Sequence, residues 1–260
     1  MNDPEINKLR KLIVELCYES QEGHIASAFS ILDILYVLYE KILKISLPDD
    51  KLDKINDIFI LSKGHACLAL YAVLYKKGFF TLNDLKTYCD YDSPFGGHPD
   101  KTRIPGVTAS TGSLGHGLPI AVGIAMAKKI KKVQSETFVL VGDGELNEGT
   151  NWEAILLASH HNLKKLTCIV DHNHSTDRAV MIDNAKDKFI SFGWNAKVID
   201  GHDGEQIYSS LTQKPSNNKP IAIIARTIKG KGINKMENNQ EWHHKSPNER
   251  EYLDFIEELS

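Results

Sequence analysis

The chain predicts an α/β fold: a mostly parallel sheet flanked by helices. Short apolar runs of strand length alternate with segments of helical period along most of its 260 residues. Residues 138–141, a helix with Trp152, Ile155, Leu156 and Ser159 at helical spacing, and residues 166–170 make one strand–helix–strand unit. Its length is about what a right-handed parallel crossover needs. Both strands run into polar residues, Gly142-Asp143-Gly144 and Asp171-His172-Asn173. These lie at the carboxyl ends, where such sheets bind ligands.

The elements follow in order. Ile6, Leu9, Leu12, Ile13 and Leu16 form a helical stripe, and residues 31–43 a second, more apolar helix. Between them lies Gly23-His24-Ile25-Ala26-Ser27. Residues 57–61 read as a strand, and Lys63-Gly64-His65 opens a helix running to about residue 77. Residues 93–117 form a loop rich in Gly and Pro, too long for an idle connection, and loops of that kind carry sites. A helix at 120–130 precedes the central unit. Beyond it the pattern gives a helix at 183–192, a strand at 196–199, a helix at 205–211 and a strand at 221–225. Residues 214–219 read as a surface loop, so 1–260 forms one domain. The tail 229–245 has no period, and its Trp242 and histidines need another reason to be ordered.

Composition narrows the function. Hydrophobic residues at 42% and charged residues at 25% are ordinary for a globular protein with a substantial core. A net charge of -3 gives no electrostatic reason to expect nucleic acid or an anionic membrane. The apolar runs are too short to span a bilayer, and the first ten residues lack a signal-peptide pattern. Cys17, Cys67, Cys89 and Cys168, far apart in apolar surroundings, read as reduced, buried thiols of a cytoplasmic protein.

The polar strand ends suit a magnesium diphosphate. Mg2+ takes oxygen ligands in an octahedron and keeps water and phosphate in its shell. An Asp carboxylate, an Asn amide oxygen and a backbone carbonyl just past the Asn would supply the protein half. Gly142 and Gly144 let backbone approach phosphate, and the next helix offers unpaired N–H groups.

A GDG followed by Asn at this distance is the thiamine diphosphate motif. With it stand Gly23-His24-Ile25, Leu61-Ser62-Lys63-Gly64-His65, Gly97-His98-Pro99, Thr111-Gly112-Ser113-Leu114-Gly115, and Lys229-Gly230-Lys231-Gly232 with Trp242-His243. In this order, over nearly the whole chain, they resemble transketolase, and most closely the N-terminal subunit of a split transketolase. The resemblance implies that Asp143, the Asn173 side chain and the Ser175 carbonyl hold Mg2+, with Ca2+ or Mn2+ as substitutes. It places His24 and His243 against substrate as the catalytic pair. His65, His98, Ser27, Lys63, Lys229 and His243 then lie near the cofactor, and Gly112, Ser113 and Leu114 beside its aminopyrimidine. Gly142, Gly144, Glu145 and Asn173 complete the cofactor contacts, and Glu148 belongs to a polar network between sites.

His116, Pro119, Ser175, His244 and the stretch from His174 to Arg178 depart from the family pattern, which puts the ordinary pentose-phosphate substrate in doubt. The implied reaction moves a two-carbon ketol unit from a ketose, phosphorylated or otherwise modified, to an aldose. No pyrimidine-binding domain is expected in the chain, so a C-terminal partner subunit would supply it, in an α2β2 assembly. Alternatives are the α subunit of a 2-oxoacid dehydrogenase type of enzyme, a non-catalytic cofactor-binding scaffold, and a zinc site built on His172 and His174 with His160, His161 or the His243-His244 pair.

Overall fold

The computed structural model describes residues 3–47, 56–177 and 180–260. Helix α1 (Pro4–Ser20) is capped by Asp3, whose side chain accepts from Glu5 N, and it buries the whole predicted stripe. Helix α2 (Ile25–Val37) continues through one π turn, Leu38–Ile42. It begins six residues before the expected start at 31. Ser27 and Ser30 break the apolar pattern there, yet both are buried in the helix. Strand β1 (Ile58–Leu61), a 3-10 turn (Gly64–Ala66) and α3 (Cys67–Lys76) follow as expected.

A short helix, α4 (Leu82–Leu85), has a Thr81/Asp84 capping box in a stretch where the apolar pattern marks no element. Helix α5 (Gly117–Ile130) starts three residues earlier than expected. Pro119 sits in its first turn, where a missing N–H costs nothing. The central unit is β2 (Thr137–Gly142), α6 (Gly149–His160) and β3 (Leu166–His172). Leu156 departs from its predicted stripe: it is exposed, while Ile155 and Ser159 are buried. Then come α7 (Ala185–Ser191), β4 (Asn195–Asp200), α8 (Gly204–Thr212) and β5 (Ile221–Arg226). Arg178 lies outside the described residues.

The five strands are all parallel, in the order β1-β2-β3-β5-β4. Period-two alternation splits them between two cores. Phe59, Leu61, Phe138, Leu140, Ile169 and Ile223 face α1, α2 and α3. Ile60, Val139, Val141, Cys168, Val170 and Ile224 face α5, α6 and α7. With both faces covered, every strand carboxyl end points to one edge, and the loops there are left for polar chemistry.

The aperiodic tail is ordered by a helix beyond the predicted elements, α9 (Glu249–Glu258), with an Asn248/Glu251 capping box. Trp242 is buried against Phe255, ring centroids 5.2 Å apart, and Lys245 lies 4.2 Å over the indole. All four cysteines are free thiols; Cys89 is only half-buried, unlike the other three. Among the described residues no helix is long and apolar enough to cross a membrane.

A buried triad ties the first helices to the far edge. Asp33 Oδ2 accepts from Arg10 Nη2 at 2.7 Å and from His202 Nδ1 at 2.8 Å. His202 Nε2 in turn accepts Ile228 N at 2.9 Å, which sets the approach to Lys229. Removing the carboxylate leaves a guanidinium buried without its charge partner. Asp33→Ala is therefore expected to lower stability in urea unfolding by about 3–5 kcal/mol. A loss below about 1 kcal/mol would show that the triad does not hold these elements together.

Candidate active site

Asp171, at the end of the central strand β3, is fully buried and is the hub of the carboxyl edge. One oxygen accepts from Ser30 Oγ at 2.6 Å and from Thr227 Oγ1. The other accepts from Lys63 Nζ and from Asn173 Nδ2, the latter at 3.0 Å. Burial pushes this carboxyl up, but the Lys63 ammonium and the hydroxyl donors outweigh it and hold the pKa below the ordinary value. Asn173 Nδ2 also donates to Ser30 Oγ at 3.0 Å. With its amino group so occupied, the amide presents Oδ1 to the loop that follows, where it accepts Ser175 N at 3.1 Å.

Asp143 stands beside that loop. Its carboxylate accepts Gly144 N at 2.7 Å and His174 N at 2.6 Å, and Ser175 Oγ lies 3.5 Å from Oδ1. Burial, and then the charge of Asp171, push the Asp143 pKa up. A bound dication would reverse that shift. Asp143, Asn173 Oδ1 and the Ser175 carbonyl are thus all hard oxygens around one short loop, with a single carboxylate among them. That donor set fits a magnesium ion completed by phosphate and water. The Ser175 carbonyl also receives Gln240 Nε2 at 3.1 Å, which fastens the tail to the loop. Among the described residues no group of three or more His, Cys, Asp or Glu side chains could hold a metal, which leaves no support for the zinc alternative.

The two glycines also serve the packing of the strand ends. Gly142 N is taken by Glu145 Oε2 at 3.1 Å, and a Cβ on Gly144 would collide with Thr176. Glycine at 144 therefore lets the 173–177 loop close down on β2. Glu145 is buried, and its oxygens are spent on Ser62 Oγ, on Gly115 N at 2.9 Å and on Gly142 N. Its geometry is that of a positioning residue, tying the ends of β1 and β2 to the 112–117 loop. Gly64 packs so closely there that a Cβ would lie 2.8 Å from the Thr111 backbone.

His24, His65, His98 and His243 gather beside this edge. His24 lies 5.3 Å from His65 and 5.6 Å from His243, and His65 lies 6.1 Å from His243. The His98 ring packs on Gly112. Lys229, buried, donates to His243 Nδ1 at 2.7 Å. Burial first, then the neighbouring imidazoles, push His24 down to about 3. Burial and Lys63 push His65 down to about 2. Burial and Lys63 bring Lys229 down to about 8. Ser27 is buried in the first turn of α2, Ser113 is exposed, and Leu114 is half-buried with its carbonyl 3.0 Å from His116 Nδ1. His116 itself and Glu148 stand exposed, Glu148 against Gly115 at the start of α6. A cavity of about 450 Å³ lies beside His172, His174 and Arg226, but none of the clustered histidines lines it.

Asp171, Ser30, Ser62 and Thr227 are not among the predicted site residues. Asp171 and Ser62 stand within the strand-end and motif stretches without a role of their own. Ser30 and Thr227 carry common side chains with no local pattern to mark them. Three-dimensional convergence reveals what they do.

A parallel sheet whose central strand ends bring an Asp, an Asn, lysines and a histidine cluster to one edge defines the diphosphate-binding domain of a thiamine diphosphate enzyme. Comparison with known proteins agrees. The chain belongs to the family described as "Transketolase, thiamine diphosphate binding domain", which matches residues 1–255. It is 36% identical over 259 residues to a protein of Phocaeicola vulgatus named as one subunit of an apulose-4-phosphate transketolase, covering 97% of this chain and 92% of that one. It is 34% identical over 261 residues to 6-deoxy-6-sulfo-D-fructose transketolase subunit SqwG of a Clostridium species, covering 98% and 94%. Transketolase from Leishmania mexicana superposes with a TM-score of 0.91 at 29% identity. The chain is covered entirely in that superposition but spans 41% of the solved protein's length. This places the chain with transketolases rather than 2-oxoacid dehydrogenases.

Two expectations follow from the site. Cofactor diphosphate next to Lys229 restores its pKa toward the ordinary lysine value, so at about pH 8.5 binding takes up protons. Calorimetry in buffers of different ionisation enthalpy measures this, and proton release on binding would refute it. Asp143→Ala and Asn173→Ala should each abolish magnesium-dependent binding of thiamine diphosphate while the fold survives. Unchanged affinity in the folded variants would remove these residues from the metal site.

Proposed function

We propose that this chain is the N-terminal, diphosphate-binding subunit of a split transketolase, a single domain over residues 1–260 that moves a two-carbon ketol unit from a ketose to an aldose. One observation carries the reading: the chain runs nearly the full length of two proteins named as transketolase subunits while retaining the Asp143, Asn173 and histidine constellation. Their named sugars, apulose 4-phosphate and 6-deoxy-6-sulfo-D-fructose, support a modified rather than an ordinary pentose phosphate as substrate. Mg2+ is the proposed metal, with Asp143, Asn173 and the Ser175 carbonyl as its protein ligands. A C-terminal partner carrying the pyrimidine-binding domain completes the site in an α2β2 assembly, consistent with the twofold symmetry of most oligomers. Free cysteines accord with a cytoplasmic setting.

Bound thiamine diphosphate supplies the nucleophilic carbon that carries the two-carbon unit. The chain's own residues do the rest. Lys229 faces the diphosphate as a point charge. His24 and His65, pushed down to about 3 and about 2, are neutral at physiological pH, so each offers one donor and one acceptor to sugar hydroxyls. Because Lys229 donates to His243 Nδ1, the neutral ring carries its proton on Nε2 and can give it to substrate oxygen. His24 and His243, edge to face with centroids 5.6 Å apart, would exchange hydroxyl protons with substrate in opposite directions. Glu148, exposed beside Gly115, faces the proposed interface.

His24→Ala and His243→Ala should each lower turnover of the assembled enzyme by about a hundredfold or more. Cofactor affinity should change far less. Near-normal turnover in both would return these histidines to a structural role. The subunit reading is tested by assaying ketol transfer with magnesium and cofactor before and after adding the partner, and full activity from this chain alone would overturn it.

A further inference from the structure

His24 has a third ring neighbour, which the proposed reaction does not use. The His244 ring lies 4.5 Å from it at an interplanar angle of 26°, closer and more nearly parallel than His65 or His243. The outer edge of His244 is held as well: Nε2 is 3.1 Å from Glu22 Oε2, two residues before His24. The backbone beneath it is anchored, because Trp242 is buried on Phe255 and covered by Lys245. His244 is therefore held by two side-chain contacts although its side chain stays 56% exposed. It covers one face of His24 and stands further out than His24 or His65, which are only partly exposed. With one face of His24 taken by His244, the polar ring edge is what His24 offers a substrate. On the proposed reading His24 and His243 contact the two transferred carbons, and His244 with Glu22 stands beside the rest of the donor.

Resting on the transketolase reading, we infer that His244, stacked on His24 and pinned by Glu22, is a specificity-determining residue that narrows the mouth of the site toward donors compact beyond the two carbons transferred. The contact is with the part of the donor that leaves. Its effect therefore differs between donors, whereas the diphosphate and magnesium contacts lie at the strand ends and are untouched.

The test uses the assembled enzyme with one acceptor and two donors, the four-carbon L-erythrulose and the longer D-fructose 6-phosphate. His244→Ala should raise kcat/KM for fructose 6-phosphate relative to erythrulose by about tenfold, mainly through KM. His244→Gly should do the same, and Glu22→Gln, which loosens the ring, should shift the ratio in the same direction by less. Thiamine diphosphate affinity by calorimetry should stay within about twofold in all three. An unchanged donor ratio in His244→Ala, whether both donors fall together or neither moves, overturns the inference. Wild-type enzyme that transfers no ketol unit from any donor overturns the transketolase reading, and this inference with it.

Discussion

The carboxylate of Asp171 has no access to water, and the carboxyl edge of the sheet is arranged around that fact. A buried charge is costly by several kcal/mol unless it is paired and hydrogen-bonded. Asp171 meets that cost with Lys63 from the end of β1, Ser30 from the middle of α2, Thr227 from the end of β5 and Asn173 just past its own strand. Each partner belongs to a different segment, so satisfying one carboxylate fixes four backbones relative to one another. The arrangement also sorts the lysines. Lys63 is committed to Asp171, which leaves Lys229 as the ammonium available to an anion. It sorts the Asn173 amide too, since its amino group is drawn inward and the oxygen is left for the loop.

Glu145 plays the corresponding part for the other half of the edge. It gathers Ser62, Gly115 and Gly142, and burial raises its pKa while those donors oppose the rise. Two acidic groups thus build the frame of a site whose proposed metal contact uses a third, Asp143. Wherever the frame carboxylates have taken the nearest donors, the loops have little freedom left. The histidine cluster is different in kind. Its members hydrogen-bond little with one another and meet mainly ring to ring, so they retain polar edges for a substrate.

Much of this is legible in the residues. Alternating apolar runs specify the strands because both sheet faces are covered and nearly every strand position must be apolar. Asp143 and Asn173 are legible because a glycine-flanked acid and a paired Asn at strand ends form a local pattern. Glu145 reads as a cofactor contact only because adjacency to the motif says nothing of which way a side chain turns. The start of α2 escapes the pattern because Ser27 and Ser30 look like loop residues until their burial, and the bond of Ser30 to Asp171 over a hundred positions away, are known. Helix α9 escapes it although Asn248 and Glu251 stand at capping-box spacing ahead of Phe255. Its role in ordering the tail is tertiary and has no signature in the tail itself.

The packing of Trp242 on Phe255 has a consequence for the order in which the molecule can be completed. Chains emerge from the ribosome amino end first, at roughly 5–20 residues per second. His24, His65, Asp143 and Asn173 can all be seated on a finished sheet once β5 is made. His243 and His244 cannot, because the indole beside them has no surface to rest on until α9 has been synthesised. The proposed proton-handling corner thus becomes rigid later than the strand ends, and a nascent chain stalled before Phe255 would hold a formed sheet edge beside an incomplete histidine cluster.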